Sequence, residues 1–134
     1  MVKPGNHIMQ PQEISEKVIT EGLVKLGLLD GDPEELHKSG AYKEFYMHKI
    51  GHWLGLDVHD AGDYVEGEEY MTFKPGMITT IEPGIYISSS MDIDDKWKGI
   101  GIRIEDDILV TKDGNENLTK KVPSDPEEIE SLMS

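Results

Sequence analysis

The chain has 134 residues, no cysteine and a formal net charge of -14 at pH 7. This length suits one domain, and 37% hydrophobic with 30% charged residues suits a soluble globular protein. The acidity argues against nucleic acid as a partner, no apolar run approaches the ~20 residues of a membrane span, and disulfides and thiolate metal sites are excluded. Without a secretory signal or cysteine, a cytoplasmic location is expected.

Three helices are predicted along the chain. The first covers Glu13 to Leu29, where apolar residues at helical spacing share one side. They are Ile14, Val18, Ile19, Leu23 and Leu26. Asp32 and Asp125 each precede a Pro-Glu-Glu sequence and are predicted to cap a second and a third helix, the second ending at Gly40.

Strands are predicted between the second and third helices. Met77–Ile81 and Ile85–Ile87 are two short apolar runs, and the chain must break or bend between them at Pro83. The clearest strand runs from Gly99 to Val110 and ends at a turn, Lys112–Asn115. Antiparallel strands with flanking helices predict the α+β class for a single domain, residues 1–134.

Three of the five histidines fall within twelve positions, at His48, His52 and His59. A spacing of four places two imidazoles on one helix face for zinc, but Gly51 and Gly55 on either side of His52 argue against a helix. The apolar residues that follow alternate as in a strand: Leu54, Leu56 and Val58. Each histidine alone is more often structural than a metal ligand, and only their clustering makes a metal site an equal alternative.

Two glutamates follow the histidines inside apolar runs. Glu82 lies between Ile81 and Pro83, where it is either a solvated edge-strand residue or a buried carboxylate that needs a cation. Glu105 shares a strand face with Arg103, and a simple ion pair between them is the structural alternative. Together with the histidines, these carboxylates form a set of nitrogen and oxygen ligands that suits manganese, zinc or cobalt.

The same segments carry a family resemblance. H-K-I-G-H-W-L-G-L-D-V-H-D at 48–60, T-I-E-P-G-I-Y-I at 80–87 and G-I-G-I-R-I-E-D-D at 99–107 occur in this order and spacing. They resemble the C-terminal part of the catalytic domain of Xaa-Pro aminopeptidase (aminopeptidase P), in the methionyl aminopeptidase, prolidase and creatinase superfamily. The resemblance extends over essentially the whole chain and implies the C-terminal half of a pita-bread α+β fold.

The resemblance also implies roles for the matching residues. His52 would bind one metal ion, Glu82 would bind the same ion and act as proton shuttle, and Glu105 would bridge two ions. His48 and His59 match histidines that contact the substrate and stabilise the developing oxyanion. The remaining two matches, Arg103 and Tyr86, would hold the ligands in place.

The implied reaction is hydrolysis of the first bond of a peptide with proline second, by a centre of two manganese ions with zinc or cobalt as alternatives. Two further aspartate ligands precede the first helix in the family and are not matched here. Asp57, Asp60 and Asp63 stand at positions that are not ligands in the family. The chain therefore reads as an incomplete, truncated portion, which we expect to be inactive alone.

Two other functions stay open from the sequence. One is a non-catalytic remnant of the fold that binds metal or peptide, and the other is a prolidase-type dipeptidase. Since the first half of the family's domain covers these strands, an uncovered apolar face and strand edge are expected to favour a homo-oligomer or a partner that supplies the N-terminal portion.

Overall fold

The computed structural model of the protein describes residues 1–134, in which helices flank small antiparallel sheets. The helices are α1 (Gln10–Lys25), α2 (Pro33–Ser39) and α3 (Pro126–Met133), and a 3₁₀ turn lies at Ala41–Glu44. The strands are β1 (Val65–Glu66), β2 (Glu69–Tyr70), β3 (Ile78–Ile81), β4 (Gly84–Tyr86), β5 (Gly101–Arg103), β6 (Asp106–Val110) and β7 (Asn115–Asn117). No helix combines the length and the apolar character that crossing a membrane requires.

The caps of the shorter helices form as predicted. The Asp32 carboxylate accepts hydrogen bonds from the N–H groups of Glu34 and Glu35, and Asp125 does the same for α3. Gly40 closes α2 with a φ of 76°, a left-handed conformation that glycine adopts without steric cost.

The predicted bounds of α1 are wrong, and of its predicted buried side only Ile19 and Leu23 are buried. The helix starts three residues earlier than Glu13 because Pro11 fits its first turn, and it ends at Lys25 because the left-handed Gly27 follows. The stripe that packs inward carries Gln12, Ile19, Thr20 and Leu23. The remaining apolar residues of the predicted stripe are exposed: Ile14, Val18 and Leu26.

The predicted strand Gly99–Val110 is two strands. β6 pairs with β3 and β7, whereas β5 pairs with β4. The break lies opposite Glu82–Pro83, where proline has no N–H to continue the ladder and only the Ile104 N–H reaches the Pro83 carbonyl, at 3.3 Å. Ile102 and Ile104 remain about half exposed because no other element covers β5.

Residues 50–54 run antiparallel to β3 on the side away from β6. The Leu54 N–H donates to the Ile78 carbonyl, and the N–H groups of Thr80 and Glu82 donate to the carbonyls of His52 and Ile50. The segment is therefore extended, as the glycines beside His52 suggested. The predicted strand-like alternation after it does not form a strand, because the chain turns away from β3 at Gly55 and leaves Leu56 and Val58 exposed.

Two apolar clusters lie on either side of this segment. One contains Val2, Ile8, Trp53, Phe73, Ile108 and Val110, and the other contains Ile19, Leu23, Tyr42, Phe45, Tyr46 and Ile87. Trp53 follows His52 directly, and Ile87 follows Tyr86. The chain neighbours of His52 and Tyr86 are thus anchored in the two clusters.

Candidate metal centre

His52, Glu82 and Glu105 converge on one point. One ligand atom from each side chain lies within 4.8 Å of the others, and no other group of three histidine or acidic side chains in residues 1–134 does so. Asp57, Asp60 and Asp63 therefore lie outside the cluster. An imidazole and two carboxylates within this distance provide nitrogen and oxygen donors for a divalent ion.

Strand register brings the two glutamates together. Ile81 pairs with Asp106 on one side of the break and Gly84 pairs with Arg103 on the other. The same register carried through the break places Glu82 opposite Glu105. Because the ladder is interrupted there by Pro83, the two carboxylates occupy the gap between the sheets.

His52 presents an unprotonated nitrogen to the cluster. Its Nδ1 lies 3.0 Å from the Trp53 carbonyl, which can only accept, so Nδ1 carries the proton. In the neutral ring, Nε2 then holds a lone pair, yet it faces Glu82 Oε1 at 3.4 Å. Two lone pairs that face each other at this distance repel, and a cation between them, either a proton or a metal ion, removes the repulsion.

Glu82 is the buried member of the cluster, at 8% exposure, so it is not the solvated edge residue that the sequence left open. The Thr80 hydroxyl donates to its Oε1 at 2.9 Å, and Arg103 Nη1 lies 3.4 Å from its Oε2. Arg103 therefore pairs with Glu82 rather than with Glu105, since β5 and β4 are neighbours. This leaves the exposed Glu105 carboxylate without a hydrogen bond or ion pair.

Tyr86 holds the arginine. Arg103 Nε donates to the Tyr86 hydroxyl at 2.7 Å, and this hydrogen bond raises the pKa of the Arg103 guanidinium. A charged guanidinium is thus fixed beside Glu82, while the role of Arg103 and Tyr86 in holding the ligands of a metal ion stays a prediction. Its fixed direction constrains the rotamer of the buried carboxylate.

The other two histidines lie on either side of the cluster. The ring of His59 is exposed, and its centroid is 4.4 Å from that of His52 in an edge contact. The ring of His48 packs edge-on against two tyrosines, with centroid distances of 5.5 Å to Tyr86 and 4.9 Å to Tyr46. The buried Nε2 of His48 has no hydrogen-bond partner, which leaves a donor or acceptor available beside the cluster.

A comparison with protein families identifies the group to which this site belongs. The profile of metallopeptidase family M24 matches residues 1–112. The chain belongs to this family. Membership implies metal ions, and the donor set of His52, Glu82 and Glu105 is consistent with that chemistry.

Individual relatives agree with the family. The Xaa-Pro aminopeptidase of Escherichia coli strain K12 is 47% identical over 133 residues, and that of Haemophilus influenzae is 48% identical over 134 residues. These alignments cover 99% and 100% of this chain but 30% and 31% of the relatives. The chain thus spans about 30% of the length of these M24 relatives.

Solved structures show the same fold. The Pseudomonas aeruginosa aminopeptidase PepP superposes with a TM-score of 0.96 at 53% identity, over 98% of this chain and 30% of that one. Aminopeptidase P from E. coli with the inhibitor Pro-Leu superposes with a TM-score of 0.92 at 47% identity, over 99% of this chain and 30% of that one. The predicted family and the α+β pita-bread class are confirmed, as is the assignment of the sequence to the metallopeptidases.

Two residues beside the cluster were missed from the sequence. The Thr80 hydroxyl joins two of the predicted ligands, because it accepts from the His52 N–H at 3.0 Å and donates to Glu82. Gln12 is buried on α1 and accepts a hydrogen bond from the Ile50 N–H. A signal for Gln12 existed, since it shares a helix stripe with Ile19 at i+7 spacing, where a polar side chain needs a partner.

Proposed function

We propose that this chain supplies three ligands to the metal centre of a Xaa-Pro aminopeptidase: His52, Glu82 and Glu105. The observation that supports this most strongly is the lone pair of His52 Nε2 directed at a buried carboxylate, with a second carboxylate within 4.8 Å. The names of the relatives favour peptides with proline second as substrates over prolidase-type dipeptides.

A bound manganese, zinc or cobalt ion would supply Lewis-acid polarisation of a peptide carbonyl and an activated water. Glu82 would move the proton to the leaving nitrogen, since it is buried and its Oε2 is held by Arg103. His59 is exposed next to His52 and can donate to a developing oxyanion. His48 would contact the substrate through its buried, unpartnered Nε2.

We further propose that Glu105 would hold a second ion jointly with two aspartates outside these 134 residues. Glu105 suits this role because its carboxylate is exposed and has no partner within the chain. The chain alone would then bind one ion weakly and would not turn over substrate. Hydrolysis of a Xaa-Pro dipeptide amide with Mn²⁺ tests this, and full turnover by the isolated chain would contradict it.

Calorimetry separates this proposal from a metal-free role of the fold. We expect Mn²⁺ and Zn²⁺ to release heat with the wild-type chain and to release none with His52→Ala. Identical heats from both proteins would favour a non-catalytic remnant that binds peptide. An assay of the longer protein with Xaa-Pro and Xaa-Ala peptides of the same length would then test the substrate class.

We also propose that the isolated chain self-associates. A groove of about 380 Å³ lies between α1 and the β3–β6 pair, and its lining is mostly apolar, with Ile14, Val18, Ile81 and Ile108 among its residues. An uncovered apolar surface of this kind favours association. Sedimentation velocity is expected to show a concentration-dependent dimer that Val18→Asp weakens. A monomer at all concentrations would contradict this.

A further inference from the structure

Gln12 is a buried polar side chain that connects α1 to the segment carrying His52. It is 8% exposed, and its Oε1 accepts a hydrogen bond from the Ile50 N–H at 2.5 Å, across 38 positions of sequence. Ile50 is itself buried, so its N–H loses its protein partner if Gln12 is removed. The contact therefore fixes where the extended segment meets the helix.

Ile50 transmits this position to the metal centre. Its carbonyl accepts from the Glu82 N–H at 2.7 Å, and its chain continues through Gly51 to His52. The Ile50 N–H is thus hydrogen-bonded to Gln12, and the Ile50 carbonyl is hydrogen-bonded to the backbone of the predicted ligand Glu82. A shift of Ile50 would therefore change the position of His52 relative to Glu82.

Glu16 fixes the orientation of the Gln12 amide. Gln12 Nε2 donates to Glu16 Oε1 at 2.9 Å, and the other oxygen of Glu16 lies 3.3 Å from His37 Nε2. A flipped amide would present its NH₂ to the Ile50 N–H and its oxygen to the Glu16 carboxylate. Both contacts would be repulsive, so only the observed orientation satisfies all groups.

We propose that Gln12 is a positioning residue for the metal centre: it holds Ile50 where His52 and Glu82 can share one ion. Gln12 is hydrogen-bonded to none of the three ligands, and the backbone of Ile50 links it to them. This inference rests on the proposed metal-binding function. A residue that only stabilised the fold would change the stability of the chain but leave the metal affinity of the folded protein unchanged.

The first test measures Zn²⁺ affinity by calorimetry on the wild type and Gln12→Leu. Leucine has a similar volume and removes both hydrogen bonds, and we expect the dissociation constant to rise about tenfold, the lower range for loss of an outer partner of a metal ligand. Gln10→Leu is the matched control, because it removes an amide of the same helix whose Oε1 has no partner. It is expected to leave the affinity unchanged. Equal affinities for wild type and Gln12→Leu would overturn the proposal.

A second variant tests the hydrogen bonds rather than the side-chain volume. Gln12→Glu alone places two carboxylates side by side and is expected to weaken Zn²⁺ binding, whereas Gln12→Glu with Glu16→Gln reverses the donor and acceptor and is expected to restore it. The exchanged pair keeps the net charge and still offers an oxygen to Ile50. If the folded double variant does not regain Zn²⁺ affinity, the proposal is overturned. The double variant also provides the test if Gln12→Leu does not fold.

Amide hydrogen exchange provides a readout that needs no metal. We expect the Ile50 and Glu82 N–H groups to exchange at least about tenfold faster in Gln12→Leu, while protection at Leu23, in the apolar interior of α1, changes less. Uniform loss of protection would show a global stability effect and contradict positioning. If the wild type binds no Zn²⁺, the proposed function fails, and this exchange pattern still decides whether Gln12 positions the segment.

Discussion

The protein contains two histidine–glutamate pairs of nearly identical geometry in different regions. His52 Nε2 lies 3.4 Å from Glu82 between strands, and His37 Nε2 lies 3.3 Å from Glu16 between helices. The histidine side chains are 20% and 23% exposed. Distance and burial alone therefore do not distinguish a metal site from a structural contact.

The surroundings of the two pairs differ. Glu16 receives the Gln12 amide and lies beside the Tyr42 hydroxyl, and no hydrogen bond fixes Nδ1 of His37, so its Nε2 can carry the proton. His52 has its proton bound to the Trp53 carbonyl on Nδ1, and a further carboxylate, Glu105, lies nearby. In the helical pair, His37 Nε2 can donate its proton to Glu16. In the strand pair, Thr80 and Arg103 donate to Glu82, but His52 Nε2 faces this carboxylate with a lone pair.

The two pairs therefore differ in the tautomer of the histidine and in the groups that surround the glutamate carboxylate. A buried carboxylate surrounded by donors is satisfied within the protein. One that also faces a lone pair and another carboxylate, as Glu82 does, attracts a further cation.

The largest expected effect is on metal affinity. His52→Ala should raise the Zn²⁺ dissociation constant more than about 100-fold, because loss of a direct ligand exceeds the loss of an outer partner. His37→Ala, the matched change in the other pair, should raise it far less, because Glu16 keeps its hydrogen bond from the Gln12 amide. Calorimetry on the two variants is the measurement. Equal effects of both variants would show that the pairs are equivalent and would remove the distinction.

Thr80→Val is expected to cost roughly 1–3 kcal/mol of stability, since a buried His52 N–H and the Glu82 carboxylate each lose their hydroxyl partner. Urea unfolding measures the change. Thr79→Val is the control: the Thr79 hydroxyl contacts the His52 carbonyl, which keeps its bond to the Thr80 N–H, and it does not contact Glu82. A larger loss at Thr79 than at Thr80 would contradict this account.

Arg103→Ala should weaken Zn²⁺ binding about tenfold, because the guanidinium fixes the rotamer of Glu82 through Oε2. Arg103→Lys should restore only part of the affinity, since lysine cannot reach Tyr86 and Glu82 with one planar group. Competition with a metal-sensitive dye measures both. Tighter binding in the alanine variant would show that the positive charge opposes the ion more than it orders the carboxylate.

Much of the fold followed from local signals. The Asp-Pro-Glu-Glu caps and the break at Pro83 act through neighbouring residues, so the sequence contains them in full. The break at Ile104 depends on Pro83 in the partner strand, and the exposure of Ile14 and Val18 depends on where α1 docks. Neither the strand break nor this exposure can be predicted from hydrophobic periodicity. Periodicity indicates which residues share a face, but not which element packs against that face.

The residues of the candidate site also divide into those that the sequence predicted and those that it did not. The convergence of His52, Glu82 and Glu105 agrees with the sequence prediction, while their binding of metal stays a prediction. Thr80 and Gln12 were not predicted because their importance lies in which backbone groups they meet after folding. The helix stripe indicates that Gln12 is buried, but a partner 38 positions away leaves no local pattern.

The smallest expected effect concerns the helical pair at high pH. Burial, together with the neighbouring Glu16 carboxylate, raises the pKa of Tyr42 from 10.0 to about 12. The unfolded chain then loses this proton first, so the contribution of Tyr42 to stability is complete below pH 10 and declines as the pH rises toward 12. Urea midpoints from pH 9 to 12 should fall less steeply for Tyr42→Phe than for the wild type. Parallel pH profiles would show that the tyrosine hydroxyl is not held by this region.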